Sequence, residues 1–428
     1  MKMKDSGVEW IGEIPEDWEM KKVRYFLKEV SEKKHPNEQV LSLYRDYGVI
    51  PKDSRADNHN VTSSDTSGYK FVEVGNLVIN KMKAWQGSLA ISNFQGIISP
   101  AYFIYRIIDS RIDLRFLHYA LRNPAYKQEY MRISSGLRVG QWDLNKEEFK
   151  NLFYPFPEQK EQQKIADFLD SKIALIDQII ADTKRSIEEL KAYKQSLITE
   201  TVTKGLDPNV PMKDSGVEWI GEIARTVKII KLKFLLNSAL TYGANEAGIE
   251  YSEQLPRYIR ITDIDLDGKL KNSGKLSLSD EVAKPYLLEG GDLLFARSGA
   301  TVGKTFVYHD YYGKSAYAGY LIKASLNKKS VLPEYLYYYT QSFLYESWKS
   351  QIFIQSTIQN IGADKYNVLP VVLQESIDIQ RQIVDFLDEK SNQIDKLILD
   401  KQRLIQENES YKKSLIYEYV TGKKRVYE

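Results

Sequence analysis

The residues Ser298-Gly299-Ala300-Thr301-Val302-Gly303-Lys304-Thr305 have the types needed for phosphate chemistry. A nucleotide-binding P-loop requires Gly, four residues, then Gly-Lys-Ser/Thr, so that successive amides cradle phosphate oxygens and the lysine neutralises them. Here the required first glycine is Ser298, and Phe306-Val307-Tyr308 reads as a strand, not as the helix whose N-terminus would face phosphate. Nucleotide hydrolysis is therefore not expected. A glycine-rich hairpin bearing Arg297, Ser298, Thr301 and Lys304 is still suited to contacting DNA phosphates; a tight turn with a solvated lysine is the plainer alternative.

A second motif also falls short. Asn123-Pro124-Ala125-Tyr126 is similar to the Asn-Pro-Pro-Tyr motif of adenine methyltransferases, but Ala125 replaces the second proline and no glycine-rich cofactor turn lies upstream. The segment is expected to end a helix at Arg122, because a residue before proline is pushed out of the α region. Asp167 and Asp170 fall on a helical stretch, which is weak evidence for acid–base work. No nucleophile–base pair or Asp/Glu-x-Lys nuclease site stands in a suitable context. The chain has no cysteine, which excludes disulfides, cysteine metal sites and thiol nucleophiles and fits a reducing compartment. His35, His59, His118 and His309 are scattered without ligand spacing, so no metal site is expected.

What remains are polar loops that mix basic, amide and aromatic residues. The first half of the chain offers Lys81, Lys83, Trp85 and Gln86, then Arg138 and Gln141. The second half offers Arg257, Arg260 and Thr262, the Arg297–Lys304 loop, and Gln355, Thr357, Gln359 and Asn360. Arg and Lys pair with guanine edges or phosphate, and Gln and Asn pair bidentately with adenine. Any one of these loops alone reads as ordinary surface. Their recurrence at corresponding places in two dissimilar halves favours recognition of DNA. Composition neither supports nor opposes this, since 60 Lys plus Arg against 58 Asp plus Glu gives a net charge of +2. A DNA-binding face has to be built by local clustering.

Two long periodic stretches must position these loops. Residues 162–203 place Ile165, Leu169, Ile173, Ile176, Ile180, Ile187, Leu190 and Leu197 at helical spacing with no Gly or Pro between, and Gly205 and Pro208 supply the stop. Such a helix would be roughly 60 Å long. Residues 380–421 repeat it, matching Asp167-Phe168-Leu169-Asp170 with Asp385-Phe386-Leu387-Asp388 and Tyr193-Lys194 with Tyr411-Lys412, with about half the positions identical. A box also repeats unchanged, Lys4-Asp5-Ser6-Gly7-Val8-Glu9-Trp10-Ile11-Gly12-Glu13-Ile14 returning from Lys213 to Ile223. The order is box, block, helix, twice over.

This order divides the chain into the N-terminal box (1–19), a first block (20–157), a first long helix (158–204), a linker with the repeated box (205–226), a second block (227–375) and a second long helix with its tail (376–428). At 428 residues the chain is too long for one core. The blocks resemble each other little, but both carry short β-branched and aromatic runs, at 70–74, 77–80 and 101–107 and at 257–264, 292–296 and 304–308. Each then has a helical segment, 114–132 or 333–350. The fold expected is α+β: two globular domains separated by two long helices that form an antiparallel intramolecular coiled coil with pseudo-twofold symmetry. If the chain is imagined closed into a ring, the N-terminal box falls beside the end of the second helix. Where Leu190 corresponds to Asn408 and Thr183 to Lys401, polar residues interrupt the seam, and they either fix register or face solvent. The acidic and basic N-terminus predicts no signal peptide. No apolar run approaches the ~18–20 residues that span a bilayer, so a soluble, cytoplasmic protein is expected.

At these residues the chain resembles the specificity subunit of type I restriction-modification systems. The resemblance is carried by Glu161-Gln162-Gln163-Lys164-Ile165-Ala166-Asp167-Phe168-Leu169, the repeated Gly-Val-Glu-Trp-Ile-Gly-Glu-Ile box, the run Gly291 to Lys304 and the run Gly75 to Gly87, and it covers essentially the whole chain. It implies a non-catalytic subunit whose two domains each read one half of a bipartite double-stranded DNA target. Two modification (methyltransferase) subunits would dock on the conserved helices and methylate adenine, joined by restriction (translocase and endonuclease) subunits. S-adenosylmethionine, ATP and Mg2+ would sit on those partners, with no cofactor on this chain. The rival readings are a specificity subunit of a type IIB-like enzyme, which neighbouring genes would separate, and a coiled-coil scaffold without a DNA role.

Overall fold

Leucine and isoleucine at every third or fourth position, with neither Gly nor Pro between, produce two long helices, Gln159–Lys204 (46 residues) and Ile377–Val420 (44 residues). Both end at a glycine in the left-handed region, Gly205 (φ 83°) and Gly422 (φ 70°), where a side chain would be strained. The computed structural model of the protein describes residues 2–45, 47–55, 65–138, 141–265, 268–299, 301–354 and 359–426. The chain divides into two compact units, 1–184 with 402–428, and 185–401. Each unit therefore holds one α+β block together with part of both long helices.

In the first unit Ile165, Leu169, Ile173, Ile176 and Ile180 share one core with the block and with Leu415 and Val420 of the second helix. Phe168 meets Tyr419, with ring centroids 4.5 Å apart, and further along Asp177 accepts from Lys412 at 2.6 Å. A step forward on one helix is thus a step back on the other, so the pairing is antiparallel. In the second unit Lys194 donates to Asp395 at 2.7 Å, and Ile198 and Val202 share a core with Ile383, Val384 and Leu387. Asp395 is the repeat of Asp177 and Lys412 the repeat of Lys194, so each unit makes the same ion pair from opposite copies. Of the expected seam, Leu190 and Leu197 are only half-buried, and Ile198 takes the interior position instead. The polar interruptions satisfy themselves: the buried Thr183 hydroxyl donates to Ile179 O (2.6 Å) and the Asn408 amide to Leu404 O (2.9 Å). Neither bonds across the seam.

The two blocks, so different in sequence, are built on one sheet. In the first block the strand order is Leu27–Val30, Tyr102–Ile107, Leu77–Asn80, Leu89–Ile91; in the second it is Thr241–Tyr242, Leu321–Ala324, Leu293–Ala296, Thr305–Val307. All pairs in both are antiparallel. A helix pair follows, Leu114–Arg122 and Pro124–Arg132 or Pro333–Tyr339 and Phe343–Ile354, then a short helix, Lys146–Asn151 or Ala363–Asn367. Each block closes when the strand before its long helix pairs with the strand after its box: Phe153–Phe156 with Glu19–Lys22, and Pro370–Gln374 with Val227–Lys231. The second block adds a sheet of Ile249–Glu250, Leu276–Ser277, Arg257–Ile259 and Ser315–Tyr317.

Both expected long helical segments are split. Asn123, extended at ψ 134° before Pro124, caps the next helix through Ala125 N. Ser342 does the same for the helix at 343, accepting from Tyr345 N at 3.4 Å. The strand expected over 257–264 stops at Ile259, because Asp263 takes the Arg260 amide (2.9 Å) and turns the chain into Ile261–Asp263. The boxes are hairpins in identical register, Lys4 opposite Ile14 and Lys213 opposite Ile223. As the ring reading implied, the first box lies against the end of the second helix: Lys423 Nζ donates to Ile11 O (2.9 Å) and to Glu13 O, and Arg425 pairs with Asp17.

Candidate nucleic-acid interface

The hairpin joining the third and fourth strands of the shared sheet carries sequence-predicted residues in both units. In the first unit this hairpin runs over Lys81, Lys83, Trp85 and Gln86; in the second it runs over Arg297, Ser298, Thr301 and Lys304. The segment after the helix pair carries further candidates of each: 134–144 in the first unit, and Gln359 and Asn360 of 359–361 in the second. In each unit the two segments come together.

In the first unit Leu144 N donates to Lys81 O (2.9 Å), the Lys81 ammonium reaches Asp143 (3.1 Å), and Trp85 packs on Trp142 with centroids 5.1 Å apart. Trp85 Nε1 donates to Met82 O (3.1 Å), which fixes the indole on its own turn. Lys83 is exposed at the start of that turn, and Gln86 is half-buried. The backbones of Arg138 and Gln141 lie in the strands Ser134–Arg138 and Gln141–Leu144, but their side chains fall outside the described residues.

In the second unit Ser298 bridges Asn360, and Ile361 N donates to Arg297 O at 2.9 Å. The Arg297 guanidinium lies 4.9 Å from the ring centre of Tyr242, whose hydroxyl accepts from Ala363 N (2.9 Å). Tyr242 is 41% exposed and Tyr320, whose carbonyl accepts the Arg297 amide, is 62% exposed. The glycine-rich loop is a hairpin turn: Ala296 N donates to Lys304 O, Gly303 N to Ala296 O, and a strand, Thr305–Val307, follows it. Gln359 and Asn360 are exposed; Gln355 and Thr357 fall outside the described residues.

The 257–263 group is bonded within its own domain. Arg257 is only 7% exposed and its guanidinium donates to Lys271 O (2.6 Å), so it serves the domain interior. Arg260 is held by both carboxylate oxygens of Asp263, at 2.8 and 3.1 Å, and that bond keeps the guanidinium firmly charged. Thr262 is exposed, with its carbonyl taken by Lys271. Sequence reasoning missed Tyr242 and Tyr320, which carry no motif, and passed over Trp142, although it directly follows Gln141. It also missed the anchors of the long helices. Buried Gln162 accepts from Asp113 N (2.9 Å) and donates to Arg111 O (3.2 Å) and Pro157 O (2.9 Å). Its repeat Gln380 accepts from Leu332 N (2.8 Å) and donates to Ser330 O (3.0 Å) and Gln374 O (2.7 Å). Identity at these repeat positions was the available signal.

Among the described residues no group of three or more His, Asp or Glu could hold a metal ion, and no helix is long and apolar enough to cross a membrane. Fold and loops together define a duplicated protein, one sheet used twice with different loops at the same place. The family model for the type I restriction modification DNA specificity domain matches residues 15–189. The chain is 24% identical to the type I restriction enzyme MjaVIII specificity subunit of Methanocaldococcus jannaschii, over 96% of this chain and 94% of that protein. It is 21% identical to the StySPI specificity subunit of Salmonella potsdam, over 87% and 82%. Among solved structures, a chain from work on complex assembly and conformational transition of the type I R-M system matches with a TM-score of 0.71 at 14% identity, over 95% of this chain and 98% of that one. The HsdS subunit of Thermoanaerobacter tengcongensis matches with a TM-score of 0.52 at 13% identity, over 96% and 98%. Residues 15–189 are thus similar to the type I restriction modification DNA specificity domain, and most of the chain is similar to type I specificity subunits. The relatives named are type I subunits, which does not favour the type IIB-like alternative.

Proposed function

We propose that each block reads one half of a bipartite, asymmetric DNA target, the first through Lys81, Lys83, Trp85, Gln86, Arg138 and Gln141. The second would read through Arg297, Ser298, Thr301, Lys304, Gln359 and Asn360, with Arg260, Thr262, Gln355 and Thr357 alongside. The observation that carries this reading is the matched pair of loops: same topological place, different side chains, in both units. Arg and Lys would set position on phosphates while Gln and Asn read base edges in the major groove. This chain contributes recognition and no chemistry. Two methyltransferase subunits would dock on the long helices, take the target adenine out of the stack and supply S-adenosylmethionine. Restriction subunits would supply ATP- and Mg2+-dependent translocation and cleavage, all in the cytoplasm. The test is to exchange residues 20–157 for the corresponding block of a related subunit and map methylated motifs across the host genome. One half of the motif should change and the other should stay; a change in both halves would overturn independent reading.

A further inference from the structure

The candidate surface of the first unit does not stop at Lys81. The Lys81 amide donates to Ala101 O (3.4 Å), and the carbonyl of the next residue, Tyr102, accepts from Lys70 Nζ at 2.6 Å. Lys33 bridges Lys70 in antiparallel fashion, and Phe71 N donates to Glu32 O (2.8 Å), so the 32–35 turn lies along the same edge. The ammonium of Lys146 stands 4.5 Å from the centre of the Phe103 ring, and that of Lys70 stands 6.0 Å from it. Burial, then Lys146, then Lys33 and Lys81 depress the Lys70 ammonium, against the pull of Glu29. Three carboxylates answer this group, Glu29 on Lys146, Asp143 on Lys81, and Glu32 within the turn itself, 2.8 Å from the His35 ring nitrogen. Among the described residues none pairs with Lys33, Lys34 or Lys70.

Gathering like charges raises the energy of the fold, and a second unfavourable choice sits in the same place. Lys34 is the one non-glycine residue with positive φ among the described residues, at 70°. Glycine adopts that conformation freely; a lysine there is strained. Repulsion and strain held together at an exposed edge are explained by a polyanion that recovers both. We propose that the 32–35 turn, Lys70 and Lys146 form a phosphate-contacting flank of the first unit, continuous with Lys81, in which Lys34 grips the backbone of duplex DNA without reading sequence. This rests on the reading of that unit as a DNA reader.

The test is Lys34→Gly in the full chain assembled with its methyltransferase partners, with binding measured on target and unrelated duplexes across a salt series. The strain argument expects the variant to melt no lower than wild type. The contact argument expects weaker binding to both duplexes and an unchanged preference between them. Loss of one phosphate contact lowers the salt slope by about 0.9, so the deficit should shrink about threefold between roughly 50 and 200 mM salt. Lys34→Arg should bind as wild type does, and Lys34→Asn, which tolerates the same backbone, should behave like the glycine variant. Unchanged affinity and slope in Lys34→Gly, with salt-dependent target binding by wild type, overturn this flank alone. A melting point lowered in both Lys34→Gly and Lys34→Asn overturns the strain argument. Absence of any target preference in wild type would instead overturn the reading of the whole unit.

Discussion

Gln162 shows how much one side chain can fix. Its amide serves three backbone groups where the long helix leaves the block, at a point closed to water, and Gln380 repeats the pattern. Each buried group left unpaired costs about 1–3 kcal/mol, so Gln162→Leu should destabilise the first unit by about 3 kcal/mol or more in denaturant unfolding, and Gln380→Leu the second. His118 provides a pH signature. Burial, and then the Arg122 guanidinium beside it, push its pKa down to about 4, while its Nδ1 accepts from Ile91 N at 3.4 Å in the neutral form. The unfolded chain binds this proton at about pH 6.5 and the folded one does not, so stability is lost as pH falls from about 6.5 towards 4. The ring keeps some solvent contact, which makes about 3 kcal/mol an upper bound. His118→Gln should remove that slope in melts recorded across this range. At this scale the sequence was only partly legible. Residue types marked the loops, but the internal bonding of Arg257 and the exposure of Tyr242 depend on distant strands.

At the scale of elements, the long helices could be read to within a few residues because their signal is local and periodic, with glycine at each end. The shared sheet could not. Its register joins residues 27–30 to 104–107 in one block and 241–242 to 322–323 in the other, and no short-range pattern records such pairings. Helix breaks were legible where proline forced them, as at Asn123-Pro124, and hidden where the Ser342 hydroxyl made the cap. The repeated ion pairs give an element-scale test. Asp177–Lys412 and Asp395–Lys194 are half-exposed, so a double-mutant cycle should give a coupling of about 0.5 kcal/mol for each, similar in the two copies and screened by salt. The apolar seam matters more. Leu169→Ala, at a position with no exposure, should cost about 2–5 kcal/mol in denaturant unfolding.

At the scale of the molecule, the proposed reading makes the long helices a ruler between two half-sites. Inserting one or two helical turns near the middle of the first long helix, with matching turns in the second, should lengthen the unread spacer of the methylated motif and leave both half-sites intact. Half-sites about one turn of DNA apart, roughly 34 Å, present the same groove face to both readers. Altered half-sites in the mapped motif, or an unchanged spacer, would count against the ruler. The division of the chain also has a consequence in time. Residues 185–401 form an uninterrupted unit, whereas the unit that starts at the N-terminus is completed only by 402–428, where Lys423 and Arg425 clasp the first box. On the ribosome the half made second can close before the half made first, reversing the usual N-to-C order. Until residues 402–428 emerge, the first block would lack Leu415 and Val420 from its core, a nascent state for which chaperones and proteases would compete.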